Sequence, residues 1–454
     1  MPAISGAGLY ALSSNQDLIF NGCTVTKNVA AYGGGGLYLY SSNNYINITN
    51  SSFDGNAATL GGALFVSGDN TYFSGNSFVS NVASTAGGAI YVVGANDAEY
   101  MYLTFTNNSS PISGGAIYLS SNTRLSIRHS VFKNQTAEVG GAIYFGFNNN
   151  YVTWKQILCA YNIAISQGGC AYIAVTNKNL EFEENIVLEN IGGYGGGIYL
   201  AEVDTLTIGN TQLVRNRASF DGGGIYALNT KNSVLLSLNF SENTAVSGAA
   251  LYLSTCQNNV VKDSLFYRNI GVGKGKGSAM WLSSCPIITQ SNKFIENEVP
   301  SGRGTGKFLE FYFIIQLYFS PANSEISSLL VYWQFSSGMS EPPGLSELNM
   351  FEGNIAENGP TFATEEVSMA INGREYHGSA SRSLRSASCL HMSGKYDDSL
   401  PEISVDLVDY YDQFYPVDSD ALVEASSINF NDCGERAAKV NLCYSTVMYP
   451  VQHS

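Results

Sequence analysis

Charge is scarce in this chain: Asp, Glu, Lys and Arg make up 13% of 454 residues, against 44% apolar and 12% aromatic. So few charges among so many apolar residues exclude a disordered chain. Basic residues are scarcer still, with 22 Lys and Arg against 37 Asp and Glu for a net −15, so no cationic excess exists to displace counterions from nucleic acid. Of the four histidines only His129 falls in the first 300 residues, which leaves little imidazole for acid–base or metal chemistry there. The eight cysteines include no C-x-x-C pair, so neither a zinc cluster nor a redox dithiol is indicated. The longest apolar run, Phe308 to Phe319, is broken by Glu310 and Gln316 and is too short for a membrane helix. What is abundant is Gly (47), Tyr (29) and Phe (23), a composition suited to strands and tight turns.

The glycines are periodic. GGALFV from Gly61, GGAIYV from Gly87, GGAIYL from Gly114, GGAIYF from Gly140, GGCAYI from Gly168, GGGIYL from Gly195 and GGGIYA from Gly222 are copies of one unit. Its aromatic position recurs at Tyr10, Tyr38, Phe65, Tyr91, Tyr118, Tyr144, Tyr172, Tyr199, Tyr226, Tyr252 and Trp281, at intervals of 26 to 29 residues. A second marker, Phe-x-x-Asn, runs in phase and ends in the column Asn28, Asn56, Asn81, Asn108, Gln135, Asn162, Asn190, Asn216, Asn243, Asn269 and Asn297. Gln135 is the one substitution in that amide column.

Short alternating apolar runs between Gly, Asn and Ser clusters exclude helical repeats. A period of about 27 residues predicts an all-β fold, a right-handed parallel β-helix of 11 to 12 coils with a rise of about 4.8 Å each. The residues flanking the aromatic, such as Ile117 and Leu119 beside Tyr118, are apolar throughout and are expected inside, with the aromatic outside. By the same alternation the Gly, Ala or Cys two residues before the aromatic is expected outside, leaving room for the rings to stack. The amide column is expected to be buried, each side chain bonding the next coil and the turn backbone.

Gly-Gly-Ala-Ile and Phe-x-x-Asn in one phased unit resembles the repeats of chlamydial polymorphic outer-membrane proteins, and those of eukaryotic microbial surface proteins with pectin-lyase-type β-helices. The resemblance covers about residues 1–300 and implies a surface-displayed, adhesin-like passenger. The segments Asn354 to Pro360 and Pro401 to Gln413 resemble the junction and immunoglobulin-like β-sandwich that follow β-helices in large protist surface proteins. The expected layout is therefore a β-helix over 1–306, an aberrant coil or insertion over 307–345, a last coil-like segment over 346–358, and a small sandwich, complete or incomplete, over 359–454. The charge supports a change of character, since residues 301–454 carry 8 basic and 20 acidic residues.

Cys256 and Cys285 each lie four residues after the aromatic marker, so they stack on adjacent coils within disulfide reach. Cys159 and Cys170 are read as packed thiols, and Cys433 and Cys443 as candidates to bridge strands of the sandwich. Sequons at Asn47, Asn50, Asn107, Asn134 and Asn239 are candidate glycosylation sites; a sixth, at Asn108, belongs to the inward column.

Many β-helices are polysaccharide lyases or hydrolases, whose sites need carboxylates recurring at one phase on neighbouring coils. Asp17, Asp54, Asp69, Asp97, Asp204, Asp221 and Asp263 fall at scattered phases, and Glu183-Glu184 reads as a solvated turn. The expectation is a non-catalytic structural or adhesive module with no cofactor or metal, extracellular or on a cell surface. Its expected partners are carbohydrate or another surface protein, with neither nucleic acid nor a membrane span; a carbohydrate-active enzyme is the alternative. Because Gly8-Leu9-Tyr10 already belongs to a repeat, the sequence also predicts a larger secreted or membrane-tethered parent protein.

Overall fold

A computed structural model describes residues 3–299 apart from 13–14, 16, 41–42, 274, 276 and 286, and beyond 299 only the backbones of the strands named below. A coil takes three or four short strands, four in Ile117–Ser120, Ser126–Arg128, Val131–Lys133 and Thr136–Val139, and three in the coil before it, where isolated bridges at Ser109 and Ser113 stand in for the fourth. Every strand pairs in parallel with its equivalent one coil away, so Ile117 faces Ile90 and Ile143, and Phe132 faces Phe105 and Cys159. The sheets therefore run the length of the solenoid, and the strand before each glycine pair forms the shorter, interrupted one.

Most aromatic strands obey the expected alternation, as where Ile117 and Leu119 are fully buried and Tyr118 is half-buried, but the rings of Tyr38, Phe65 and Tyr199 are themselves buried. The small column does not. Ala63, Ala89, Ala116, Ala142, Cys170, Ala250 and Ala279 are all fully buried, so this column points inward rather than out. The physical reason is that the strand starts only at the residue before the aromatic, and the preceding bend resets the period. A Cβ on Gly197 would meet the side chains of Val187 and Asn216, and one on Gly224 would meet the ring of Phe240, which places the small column against the Phe-x-x-Asn column across the interior.

Room for the outer rings comes instead from the glycine turn itself. The first glycine of each pair has positive φ, 63° at Gly114, and a Cβ on Gly222 would press on Cβ of Tyr226 at 2.6 Å. The second glycine serves a different end: a Cβ on Gly115 would collide with the carbonyl of Gly141 and with the amide of Thr136 at 2.8 Å, both on the next coil.

Inside, the Phe column stacks ring on ring, with Phe53–Phe78, Phe78–Phe105 and Phe105–Phe132 centroids 4.9, 4.8 and 4.6 Å apart. A third apolar column, absent from the sequence reading, lies on the intervening strands and includes Phe73, Tyr100, Ile127, Trp154 and Phe182, all buried.

Beyond residue 299, Val331–Tyr332 pairs in parallel with Met280–Ser283, so Tyr332 follows Trp281 in the aromatic column, and Phe362–Ala363 pairs with Val331–Tyr332 in turn. Met350–Glu352 extends the Phe column, with Phe351 opposite Phe294. Phe308, and the rest of the 307–345 and 346–358 segments, lie outside the described residues.

The chain divides into two units, Met1–Ala363 and Thr364–Ser454. The second is antiparallel. One sheet orders Arg374–His377, Ser368–Ile371, Val405–Val408 and Phe414–Tyr415; the other orders Ser388–Lys395, Ala437–Tyr444 and Val423–Phe430. Its backbone register sets Cys389 opposite Cys443; Cys433, the partner expected for Cys443, lies outside the described residues.

The inward small column makes a testable demand. Ala142→Leu forces a larger side chain into a closed interior and should cost about 1–3 kcal/mol in denaturant unfolding. Were the column outward, the same change would leave the midpoint unmoved.

Candidate functional site

The amide column is built by the turn that follows each Phe strand. Asn81 shows its wiring: its backbone N–H and one Nδ2 hydrogen donate to Oδ1 of Asn108 on the next coil (2.9 and 3.0 Å), and Nδ2 also donates back to the carbonyl of Phe53 (3.0 Å). Its own Oδ1 accepts from the backbone and Nδ2 of Asn56, both at 3.0 Å. One fully buried amide thus ties three coils and leaves no polar atom unpaired. The wiring repeats at Asn190, Asn216, Asn243 and Asn269, and Asn162 donates in the same way but accepts only one bond, from the backbone of Gln135. Asn28 joins through Asn56, and Asn297 accepts from Asn269.

Gln135 keeps only half of it. Asn108 N–H still reaches Oε1 of Gln135 and Gln135 N–H reaches Oδ1 of Asn162, at 2.8 and 2.9 Å. The longer side chain, however, folds Nε2 back to the carbonyl of Lys133, and the side-chain rungs to Asn108 and Asn162 are not made.

Two further polar columns escaped the sequence reading. One follows the aromatic strand at Asn43, Asn122, Asn149 and Asn177, with Asn122 Nδ2 on Asn149 Oδ1 at 2.9 Å. The other precedes the Phe strand at Ser51, Asn76, Ser130, Asn185 and Thr211, with Ser51 N–H on Asn76 Oδ1 at 2.9 Å.

Outside the main amide column, the residue before each asparagine sits at a corner in the left-handed region, stacked coil on coil. Asn107 (φ 55°), Asn134 (59°), Tyr161 (60°), Glu189 (51°), Arg215 (51°), Glu242 (57°), Arg268 (50°) and Glu296 (52°) form this column. Its last five members alternate in charge: Arg215 pairs with Glu189 (2.7 Å) and Glu242 (3.7 Å), and Arg268 with Glu296 (2.5 Å). A shallow groove beside it is lined by Tyr161, Ile163, Glu189, Ile191, Arg215 and Arg217.

Sulfur forms two bridges. Cys256 and Cys285 form a disulfide between adjacent coils, Cα atoms 4.4 Å apart, in the column that holds Asn122 and Asn149 elsewhere. Cys159 and Cys170 also form a disulfide, Cα atoms 6.0 Å apart, which corrects the packed-thiol expectation. The reason is the inward small column: Cys170 occupies it, Cys159 stands in the Phe column, and the two face each other across the interior.

The aromatic column stacks along the solenoid from Tyr10 to Trp281, with centroids 4.0 to 5.2 Å apart. Ring faces are covered by neighbouring rings, so the surface receives edges and hydroxyls. Burial pushes the phenols of Tyr38, Tyr91, Tyr144 and Tyr226 from 10.0 up to about 12, and raises Tyr199 and Tyr252 as well.

Of the sequon asparagines, Asn50, Asn107 and Asn134 are exposed corner residues, whereas Asn47 and Asn239 are half-buried in strands. Among the described residues no group of three or more His, Cys, Asp or Glu could hold a metal ion, and no helix is long and apolar enough to cross a membrane. Carboxylates and an ammonium gather in a polar groove lined by residues that include Lys178, Glu202 and Asp204, and again on the surface where Lys155 pairs with Glu184 at 3.0 Å.

Three substitutions read out the ladder in thermal or denaturant unfolding. Asn216→Ala should cost about 1–3 kcal/mol by orphaning buried groups, and Asn148→Ala, at an exposed corner with φ 58°, less, since it orphans no buried group and loses only asparagine's tolerance of the left-handed region. Gln135→Asn should add about 0.5–1.5 kcal/mol by completing the missing rungs. Alkali probes the aromatic column: raised phenols keep their protons where the unfolded chain has lost them, so stability is whole below about pH 10 and falls as pH climbs through about 12. Phenolate absorbance lagging free tyrosine, followed by unfolding in that window, is the expected record.

Comparison with known proteins places the repeat. Residues 161–312 match the right handed beta helix region family. Residues 102–120 match the Chlamydia polymorphic membrane protein repeat, and contain one Phe-x-x-Asn and one Gly-Gly-Ala-Ile unit. Over 175 residues the chain is 27% identical to metabotropic glutamate receptor-like protein R of Dictyostelium discoideum, a match to 38% of this chain. It spans about a tenth of that relative's length, 10%. By its coil, its period and these matches the first unit is a right-handed parallel β-helix of about 11 turns, built from repeats that resemble those of the chlamydial polymorphic membrane proteins.

Proposed function

We propose that the chain is a non-catalytic structural or adhesive module of a cell-surface or secreted protein, a stiff β-helix that holds its corners out to carbohydrate or another surface protein. An immunoglobulin-like β-sandwich formed by the second unit belongs to the same reading. The observation that carries it is the unbroken coil: aromatic positions recur every 26 to 29 residues from Tyr10 to Trp281, without a long loop of the kind that active sites use. Two disulfides suit an oxidising, extracellular compartment, and the chlamydial-type repeat supports surface display. Because the stacked rings keep their faces to themselves, contact with sugar would run through corner hydroxyls, amides and charges rather than through ring stacking.

One observation favours a second reading, a polysaccharide hydrolase or lyase: the polar groove that gathers Glu202, Asp204 and Lys178. The two are separated by incubating the full chain with acidic and neutral polysaccharides. The expected outcome is retention on an immobilised glycan or surface protein with no new reducing ends and no unsaturated product. Product formation that disappears in the Glu202→Gln/Asp204→Asn double variant would replace the module reading with the enzymatic one.

A further inference from the structure

The six sequons are not equivalent in the fold. In Asn107-Asn108-Ser109 and Asn134-Gln135-Thr136 the first residue is an exposed left-handed corner and the second is a buried ladder amide, while the third forms an isolated parallel bridge at Ser109 and opens a strand at Thr136. The backbone N–H groups of Asn107 and Asn134 bond the carbonyls of Lys133 and Ala160, while their side-chain amides make no hydrogen bond among the described residues. Coil stacking therefore does not draw on these two side chains. Asn50 is an exposed corner too, with one bond, from Nδ2 to Asn21.

The other three acceptors are set into strands or the interior, two of them hydrogen-bonded and Asn47 with its Oδ1 buried and unpaired. Asn108 is fully buried; its Oδ1 takes two bonds from Asn81 and its Nδ2 donates to the carbonyl of Phe78. A sugar on that nitrogen would enter a closed interior and keep the coils from stacking. Asn239 lies within a strand and its Oδ1 accepts from Ser241, the hydroxyl residue of its own sequon, itself buried. Asn47 lies within a strand with Oδ1 buried.

Resting on the surface reading above, we propose that Asn107, Asn134 and Asn50 carry N-linked glycans, and that Asn47, Asn108 and Asn239 stay bare in the folded protein. The co-substrate is a lipid-linked oligosaccharyl diphosphate. The Asn Nδ2 attacks the anomeric carbon, an N-glycosidic bond forms as the bond to the diphosphate oxygen breaks, and the displaced N–H proton goes to the released diphosphate or a base. No oxidant or reductant is involved. Asn107 and Asn134 then carry sugars one coil apart, about 4.8 Å along one corner. That corner continues into the bare run from Tyr161 through the alternating Glu and Arg residues, so glycan covers the Asn107 and Asn134 positions and leaves the groove at Ile163 and Ile191 open.

The test places the full chain behind a secretion leader in a eukaryotic host. Glycans are removed from the folded product in heavy-oxygen water by an amidase that converts each glycosylated Asn to labelled Asp, and the label is located by peptide fragmentation. Label at Asn50, Asn107 and Asn134 and none at Asn47, Asn108 or Asn239 is the expected result. Folded protein without label at Asn107 and Asn134, or with label at Asn108, overturns the assignment. Asn107→Gln and Asn134→Gln should each remove one glycan step on a gel and leave the melting temperature unchanged; a step that persists in either variant also overturns it. Because the leader delivers the chain to the glycosylating compartment, failure here condemns the acceptors alone. Failure of the surface reading would appear separately, as protein confined to the interior of its own cells.

Discussion

A coil that bends several times in about 27 residues strands backbone N–H and C=O groups at its corners, beside an interior with no water to satisfy them. The side-chain amide resolves this constraint, and the remaining structure is arranged around it. Asn fits because its single methylene holds Oδ1 and Nδ2 at the height of the adjacent coils, so one residue accepts from the coil before it and donates in both directions. Gln135 shows how narrow the fit is: one more methylene turns the donor back on its own strand. With the corner secured, Phe rings stack behind it, small residues face them, and the glycine turn returns the chain to the aromatic strand.

The features legible in the sequence were those that repeat at constant distance from a marker. The aromatic column, its apolar flanks and the main amide ladder keep one phase from coil to coil, and Cys256 and Cys285 shared a phase as well. The second amide column was obscured because the turn before it varies in length: Asn122 follows Tyr118 by four residues, Asn149 follows Tyr144 by five. The third was obscured by chemistry, since Ser, Thr and Asn substitute for one another there and the position reads as ordinary turn. The orientation of the small column was misread because alternation was carried across a bend where the backbone is not extended, and the Cys159–Cys170 bond was lost with it. The Glu and Arg run was in plain view, one residue before each ladder asparagine, but a charge at a turn carries no sign of its neighbour until coils are stacked.

The two disulfides do different mechanical work. Cys159–Cys170 replaces a Phe–Ala contact across the inside of one coil, so it fixes that coil's cross-section, and its loop is only 11 residues. Cys256–Cys285 joins coils over a separation of 29 residues and substitutes a covalent rung for an amide one. Neither disulfide occupies the main amide ladder, where every position carries two hydrogen-bond functions that sulfur cannot supply.

Near-identical coils stacked in series invite a characteristic error, in which one coil is looped out and its neighbours close over the gap. Backbone pairing and apolar stacking would hardly register the skip, since Phe meets Phe and Tyr meets Tyr either way. The alternating corner does register it. With Glu189, Arg215, Glu242, Arg268 and Glu296 in strict succession, omitting any inner coil sets like charge on like, as Glu189 on Glu242 or Arg215 on Arg268. The alternation acts as a parity check, a surface code by which a repetitive chain counts its own turns.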